Sequence, residues 1–158
     1  MRYIIPVFTL VLMSITTAQA ADSVPYPQNY RDWHHVKSMV INQGHTLYDA
    51  FGGIHHLYAN AAAVKGYKSG TWPDGAVIVF DLLEAKAADN AVTEGTRKVV
   101  GVMHRDAKKF AATGGWGYEG FKGDSKTERA VGANALAACH TCHIAQKNNS
   151  FIFSKLRP

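Results

Sequence analysis

Cysteine is almost absent from this chain of 158 residues: there are two, Cys139 and Cys142, in one short stretch near the C-terminus. That scarcity removes a structural zinc site built on cysteines, which wants four ligands. Adding His140 and His143 completes the count, but four donors crowded into five residues cannot surround an ion tetrahedrally. Long runs of basic residues are also lacking. Lys37, Lys65, Lys68, Lys86, Lys98, Lys108, Lys109, Lys122 and Lys126 are dispersed, with no basic-aromatic repeat. Nucleic-acid binding is therefore unsupported despite a sequence pI near 9.3; the basic balance suits a solvated face or the docking of an acidic redox partner. No second long apolar stretch follows the N-terminal one, and there are no internal repeats.

What the chain does have is Cys139-His140-Thr141-Cys142-His143, the C-x-x-C-H form of a c-type haem attachment site. Two thiols one short turn apart can each form a thioether with a haem vinyl group, and the adjoining imidazole then lies under the iron. Cys139 and Cys142 are the expected anchors and His143 the expected proximal ligand of one covalently attached haem c; His140 serves as a spacer. A small disulfide or a redox dithiol would use the same spacing. A thioredoxin-like motif, however, opens a helix after a strand in a βαβ pattern, and the Ala-rich run before Cys139 has no such form.

At the other end, Arg2, an apolar run from Tyr3 to Ile15 and Ala18-Gln19-Ala20 have the layout of a secretory signal peptide. The apolar core is short for a membrane span. Residues 1–20 are expected to be cleaved, leaving residues 21–158 as a single haem-binding domain in the periplasm, with no membrane attachment. That remainder is long enough for one domain with its own core. Export fits the haem reading, since c-type attachment in bacteria is completed outside the cytoplasm.

Along that domain, His34–Ile41 suits a strand, and residues 45–58 read as two strands around Gly52-Gly53, a hairpin signal. Ala59–Lys68, rich in Ala and Lys, favours a short helix; Ser69–Gly75 must turn. Ala76–Glu84 is the clearest strand, apolar on both faces at its start. Ala85–Thr96 reads as a loop and Arg97–Arg105 as a second central strand, where Gly101 marks a bulge or a close approach. Trp116–Phe121 suits a strand with rings on one face, Arg129–Ala138 a helix delivering the haem motif, and Ser150–Leu156 a last short strand. The sum is an α+β fold, predominantly an antiparallel β-sheet of about five strands with two or three helices and a C-terminal c-type haem motif.

For the face of the iron opposite His143, sequence offers Met39, Met103 and the histidines at 34, 35, 45, 55, 56, 104 and 140. A second strong ligand would make an electron-transfer haem; an apolar or open face would favour a small gas.

Several segments together resemble the P-460 cytochrome family: Tyr30-Arg31-Asp32-Trp33, the turn from Tyr67 to Gly75 with its apolar strand, Gly114–Tyr118, and a C-terminal Cys-x-x-Cys-His followed by Phe151-Ile152-Phe153-Ser154. The resemblance spans nearly the whole domain and is greatest to the β-sheet cytochrome c′ branch (cytochrome c′-beta). It implies an antiparallel-sheet homodimer with a five-coordinate c haem. One branch of the family oxidises hydroxylamine with a lysine crosslinked to the haem and a distal carboxylate. The c′-beta branch lacks the crosslink and caps its iron with phenylalanines, binding nitric oxide and carbon monoxide. Phe51 and Phe80 match the phenylalanine cap, and Lys65 or Lys68 falls in the crosslink region, with Lys68 the candidate contact to haem. No carboxylate occurs between Lys98 and Arg105, and Glu84, Glu94 and Glu119 match no distal position. The expected function is gas binding (nitric oxide binding, buffering or transport). Hydroxylamine oxidation and six-coordinate electron transfer are the alternatives.

Overall fold

The computed structural model describes residues 24–158. The signal-peptide reading of residues 1–20 lies outside them. Five antiparallel strands form one sheet in sequence order: β1 (His34–Ile41), β2 (Gly53–Ala59), β3 (Val77–Ala88), β4 (Ala91–Arg105) and β5 (Trp116–Lys122). Three short helices accompany it: α1 (Tyr48–Phe51), α2 (Ala61–Ser69) and α3 (Thr141–His143). The α+β, predominantly antiparallel architecture is as the sequence implies.

The β-branched run Val77-Ile78-Val79 makes β3 the centre of the sheet. Ile78 and Val79 point to opposite faces, and both are buried, so each face carries its own apolar layer. On one, Val36, Ala59, Ala63, Ile78, Trp116, Tyr118 and Ile152 pack together, with Cys139 and Phe151 against them. On the other, Val79, Val100, Val102 and Phe121 take Val24 and Tyr30 from the N-terminal segment. The first layer contains the haem motif and is called the motif face below.

Side-chain alternation and register place rows of residues across that face. Ala59, Ile78, Met103 and Tyr118 form one row, and Leu57, Phe80, Gly101 and Gly120 the next. His55 pairs with Leu82 in the row beyond. No bulge occurs at Gly101. The close approach expected there is the Phe80 ring, whose Cδ1 lies 3.3 Å from where a Cβ would stand.

Helix α2 closes one end of the motif face. Asn60 caps it by accepting from the Ala63 N–H at 2.8 Å, and the same oxygen accepts from Val77 N–H at 3.1 Å, tying the cap to the start of β3. Gly70, at φ 76°, ends the helix in the left-handed conformation that glycine adopts freely.

Three local expectations are corrected. Residues 45–51 are not a strand paired through Gly52-Gly53; they turn into α1, and only Gly53–Ala59 is extended. Gly53 pairs with Ile41 of β1 and lies against the Leu83 carbonyl of β3, a contact that leaves no room for a Cβ, so it is held by those strands rather than by the residues just before it. Ala85–Thr96 is not a loop. Strands β3 and β4 continue through it to a tight hairpin whose central residues, Asp89 (φ 51°) and Asn90 (φ 59°), are both left-handed, the turn that matches strand twist and that Asp and Asn tolerate. Finally, Ser150–Leu156 is not a strand. It is a tail whose Ile152 side chain enters the motif-face core.

Candidate functional site

The haem motif is carried by irregular helix. A 3₁₀ turn at Gly132–Asn134 leads to a π-type turn at Leu136–His140, which passes into α3; π-turns are rare and concentrate at functional sites. The long Ala-rich helix expected over residues 129–138 is absent because its first residues are held otherwise. Arg129 forms a bridge with Phe121 beside β5, and Glu119 binds the segment through Arg129 Nη1 at 2.6 Å and Gly132 N–H at 2.9 Å. Burial alone would raise the Glu119 carboxyl. The Gly132 and Gly120 N–H groups and the Arg129 guanidinium outweigh it and hold the group below its usual range.

Cys139 and Cys142 are both free thiols, so the spacing is not used for a disulfide. Cys139 packs against the core while Cys142 is exposed. Burial, with Glu119 and Cys142 adding to it, pushes the Cys139 thiol up to about 11. A redox dithiol needs the opposite, an attacking sulfur lowered toward neutrality.

His143 donates its Nδ1–H to the Phe151 carbonyl at 2.6 Å. This fixes the tautomer and leaves the Nε2 lone pair for a metal, the arrangement that orients metal-binding histidines generally. Burial lowers the proton affinity of the ring against the opposing pull of that bond, so the imidazole stays neutral as a ligand requires. Phe151 is held in an unusual way. Its φ of 65° follows Ser150 at 53°, a left-handed pair of non-glycine residues that costs free energy. Its ring covers Gly114 and meets His140 at 5.4 Å. The strained turn thus aims its carbonyl at His143.

Sequence reasoning missed Phe151 in this role, and also Tyr118 and the burial of His140. His140 is only 6 % exposed. Its Nδ1 lies 3.4 Å from the Tyr118 hydroxyl, and the Tyr118 ring reaches both His140 and His143, at 5.7 and 5.1 Å. More than a spacer, His140 pins the motif to β5. The alternation Trp116-Gly117-Tyr118 signalled rings on one face; nothing in it signalled which residues they would meet.

Phe51 and Phe80 are brought together. Their rings meet edge to face at 5.7 Å and 86°, with Phe80 two residues beyond Ile78 on the motif face. Met103 and His140 are on this face too, as is His55, whereas His56 and His104 alternate to the other side. There His56 joins Ser38 at 2.6 Å and Glu94 at 2.6 Å. Lys65 and Lys68 are both exposed on α2; the neighbouring Tyr67 hydroxyl bonds Ser154 at 2.6 Å, which brings the end of that helix beside the tail that follows the motif. Glu84 accepts from Thr96 N–H in the long hairpin.

A β-sheet with two free thiols in a C-x-x-C-H turn and an adjoining imidazole fixed through Nδ1 is the construction of a c-type haem protein. A family model described as Cytochrome P460 matches residues 27–154. The chain belongs to the cytochrome P460 family, and with that membership comes a haem cofactor. No curated protein gives a significant match. The residues present fit the group: Cys139 and Cys142 would bind its vinyl carbons, and His143 Nε2 would hold its iron. Bound there, the haem would supply an iron open to an exogenous ligand; the chain would supply the anchors, the imidazole and the walls.

Proposed function

We propose that this protein is a gas-binding c-type haem protein of the periplasm, with one haem c attached through Cys139 and Cys142 and a five-coordinate iron on His143. Its ligands are nitric oxide and carbon monoxide, and its role is nitric oxide binding, buffering or transport. The observation that carries the reading is the Phe51–Phe80 contact on the motif face. Two phenyl rings offer no hydrogen bond, so water and anions lose hydration on entering while a neutral diatomic loses almost none. Met39 and Val40 near the end of β1, an edge strand, and Leu47, Tyr48 and Phe51 in the segment that follows it are exposed apolar residues, which supports a homodimer through that edge. Export through a cleaved leader at residues 1–20 accords with haem attachment outside the cytoplasm.

A second reading, hydroxylamine oxidation, draws on Lys68, because the Tyr67–Ser154 bond sets the end of α2 beside the tail that follows the motif. A lysine–haem crosslink separates the two. Gas binding predicts an intact mass of the chain plus haem alone, a high-spin ferrous spectrum and a carbonyl adduct. A red-shifted spectrum with a crosslinked lysine in peptide maps would overturn it in favour of the enzyme. A low-spin six-coordinate ferric spectrum with no carbonyl adduct would instead make the protein an electron carrier.

A further inference from the structure

We infer that His55 is a positioning residue that holds the Phe51–Phe80 pair closed. The inference rests on the reading that this pair caps the iron. His55 lies in β2 on the motif face and is 2 % exposed. It touches both rings' owners in different ways: its Nε2–H donates to the backbone carbonyl of Phe51, and its ring meets Phe80 edge to face at 4.6 Å and 78°. The Phe80 ring thus meets both the His55 and the Phe51 rings, and His55 adds a polar tie to the Phe51 backbone.

The two phenylalanines need that tie unequally. Phe80 is fixed by strand pairing on both sides, to Leu57 and Gly101. Phe51 ends a four-residue helix, far below the length at which a helix sustains itself, and its side chain is 36 % exposed. Without the His55 bond it keeps the Leu47 carbonyl on its own N–H at 2.8 Å, the Gly52 turn and the Phe80 ring as its restraints. The other nitrogen of His55 shows that the ring is not placed for its own satisfaction: Nδ1 is buried without a hydrogen-bond partner among the described residues. A buried acceptor left unpaired is costly. Burial also lowers the proton affinity of the ring, so His55 remains a neutral donor through Nε2 and does not bring a charge beside the cap.

The test uses carbon monoxide association to the ferrous holoprotein, followed by flash photolysis, in four variants. His55→Leu removes the donor and should bind about tenfold faster, the factor matching one hydrogen bond of about 1.4 kcal/mol. His55→Gln carries an amide N–H to nearly the Nε2 position and should stay within about twofold of the parent. His55→Asn has the same chemistry on a shorter reach and should behave as Leu does, so the Asn/Gln pair carries the test if the Leu variant fails to fold. Phe80→Ala tests the cap itself. If Phe80→Ala accelerates binding while Leu and Asn at position 55 leave it unchanged, the role of His55 is overturned and the cap stands. If Phe80→Ala is also unchanged, the cap reading falls, and this inference with it.

Discussion

Replacing Glu119 by alanine should loosen the haem motif without touching it. The carboxylate is 5 % exposed and accepts three hydrogen bonds: from Arg129 Nη1 at 2.6 Å, from Gly132 N–H at 2.9 Å and from Gly120 N–H at 2.9 Å. Hydrogen bonds to a charged group contribute about 1.5–3 kcal/mol each. The Gly120 bond is local to its own strand, and the Arg129 side chain is 34 % exposed and keeps the Val24 carbonyl as a second acceptor. Taking the two tethering bonds at the low end gives a loss of about 3 kcal/mol. For a domain of this size that is a fall of roughly 12 °C in thermal midpoint. Glu119→Gln retains an oxygen for one partner and should lose about half as much. The assay is thermal unfolding of the holoprotein by circular dichroism, with the fraction of chains carrying haem measured by intact mass. Because residues 129–132 lead directly into the motif, haem loading should fall along with the midpoint. An alanine variant that unfolds within about 3 °C of the parent and is fully loaded would refute the idea that Glu119 positions this segment.

Two further expectations concern the rest of the fold. Asp81, buried on the face opposite the motif, accepts from Tyr30 Oη at 2.7 Å and Arg97 Nε at 2.6 Å; Asp81→Ala leaves Arg97 with Asp124 as its remaining carboxylate and the buried Tyr30 hydroxyl without an acceptor, and should cost about 2 kcal/mol in urea unfolding, while a change below about 0.5 kcal/mol would show these bonds to be dispensable. Acid should act in two stages. His55, His104 and His140 are each lowered by burial, so the unfolded chain protonates first and stability falls as pH drops below about 6.5. Glu119 is held below its unfolded value, so its contribution, present above about pH 4.3, is lost as pH falls further. A thermal midpoint that stays level from pH 7 to pH 5 would remove the buried histidines as the cause of the first stage.

The amino-acid sequence by itself determined the chemistry at the anchor and the elements whose burial is regular. Cys139, Cys142 and His143 are legible because their spacing is their chemistry. Strands β3 and β5 and helix α2 are legible because β-branching, alternation and a run of good helix formers act over a few neighbours, whereas the Asn60 cap showed only in the structure. The sequence alone misled where the deciding partner is distant. Phe51 looked like a strand residue, but Gly53 is paired with Ile41 of β1 and set against the Leu83 carbonyl of β3, which leaves the residues before it to coil into α1. The far half of the long hairpin is exposed on both faces, so it carries no apolar alternation, and only the left-handed Asp89-Asn90 turn and the continued register reveal it. Phe151 and Phe153 alternate as a strand would, yet the left-handed turn at Ser150 and Phe151 spends the backbone on holding His143 instead. What only the tertiary structure decided is which side chains meet: Tyr118 against His140 and His143, Glu119 against the chain leading to the motif, and His55 against both phenylalanines. Each of these contacts joins residues from separate elements, and sheet register, which a local pattern does not encode, sets the distance between them.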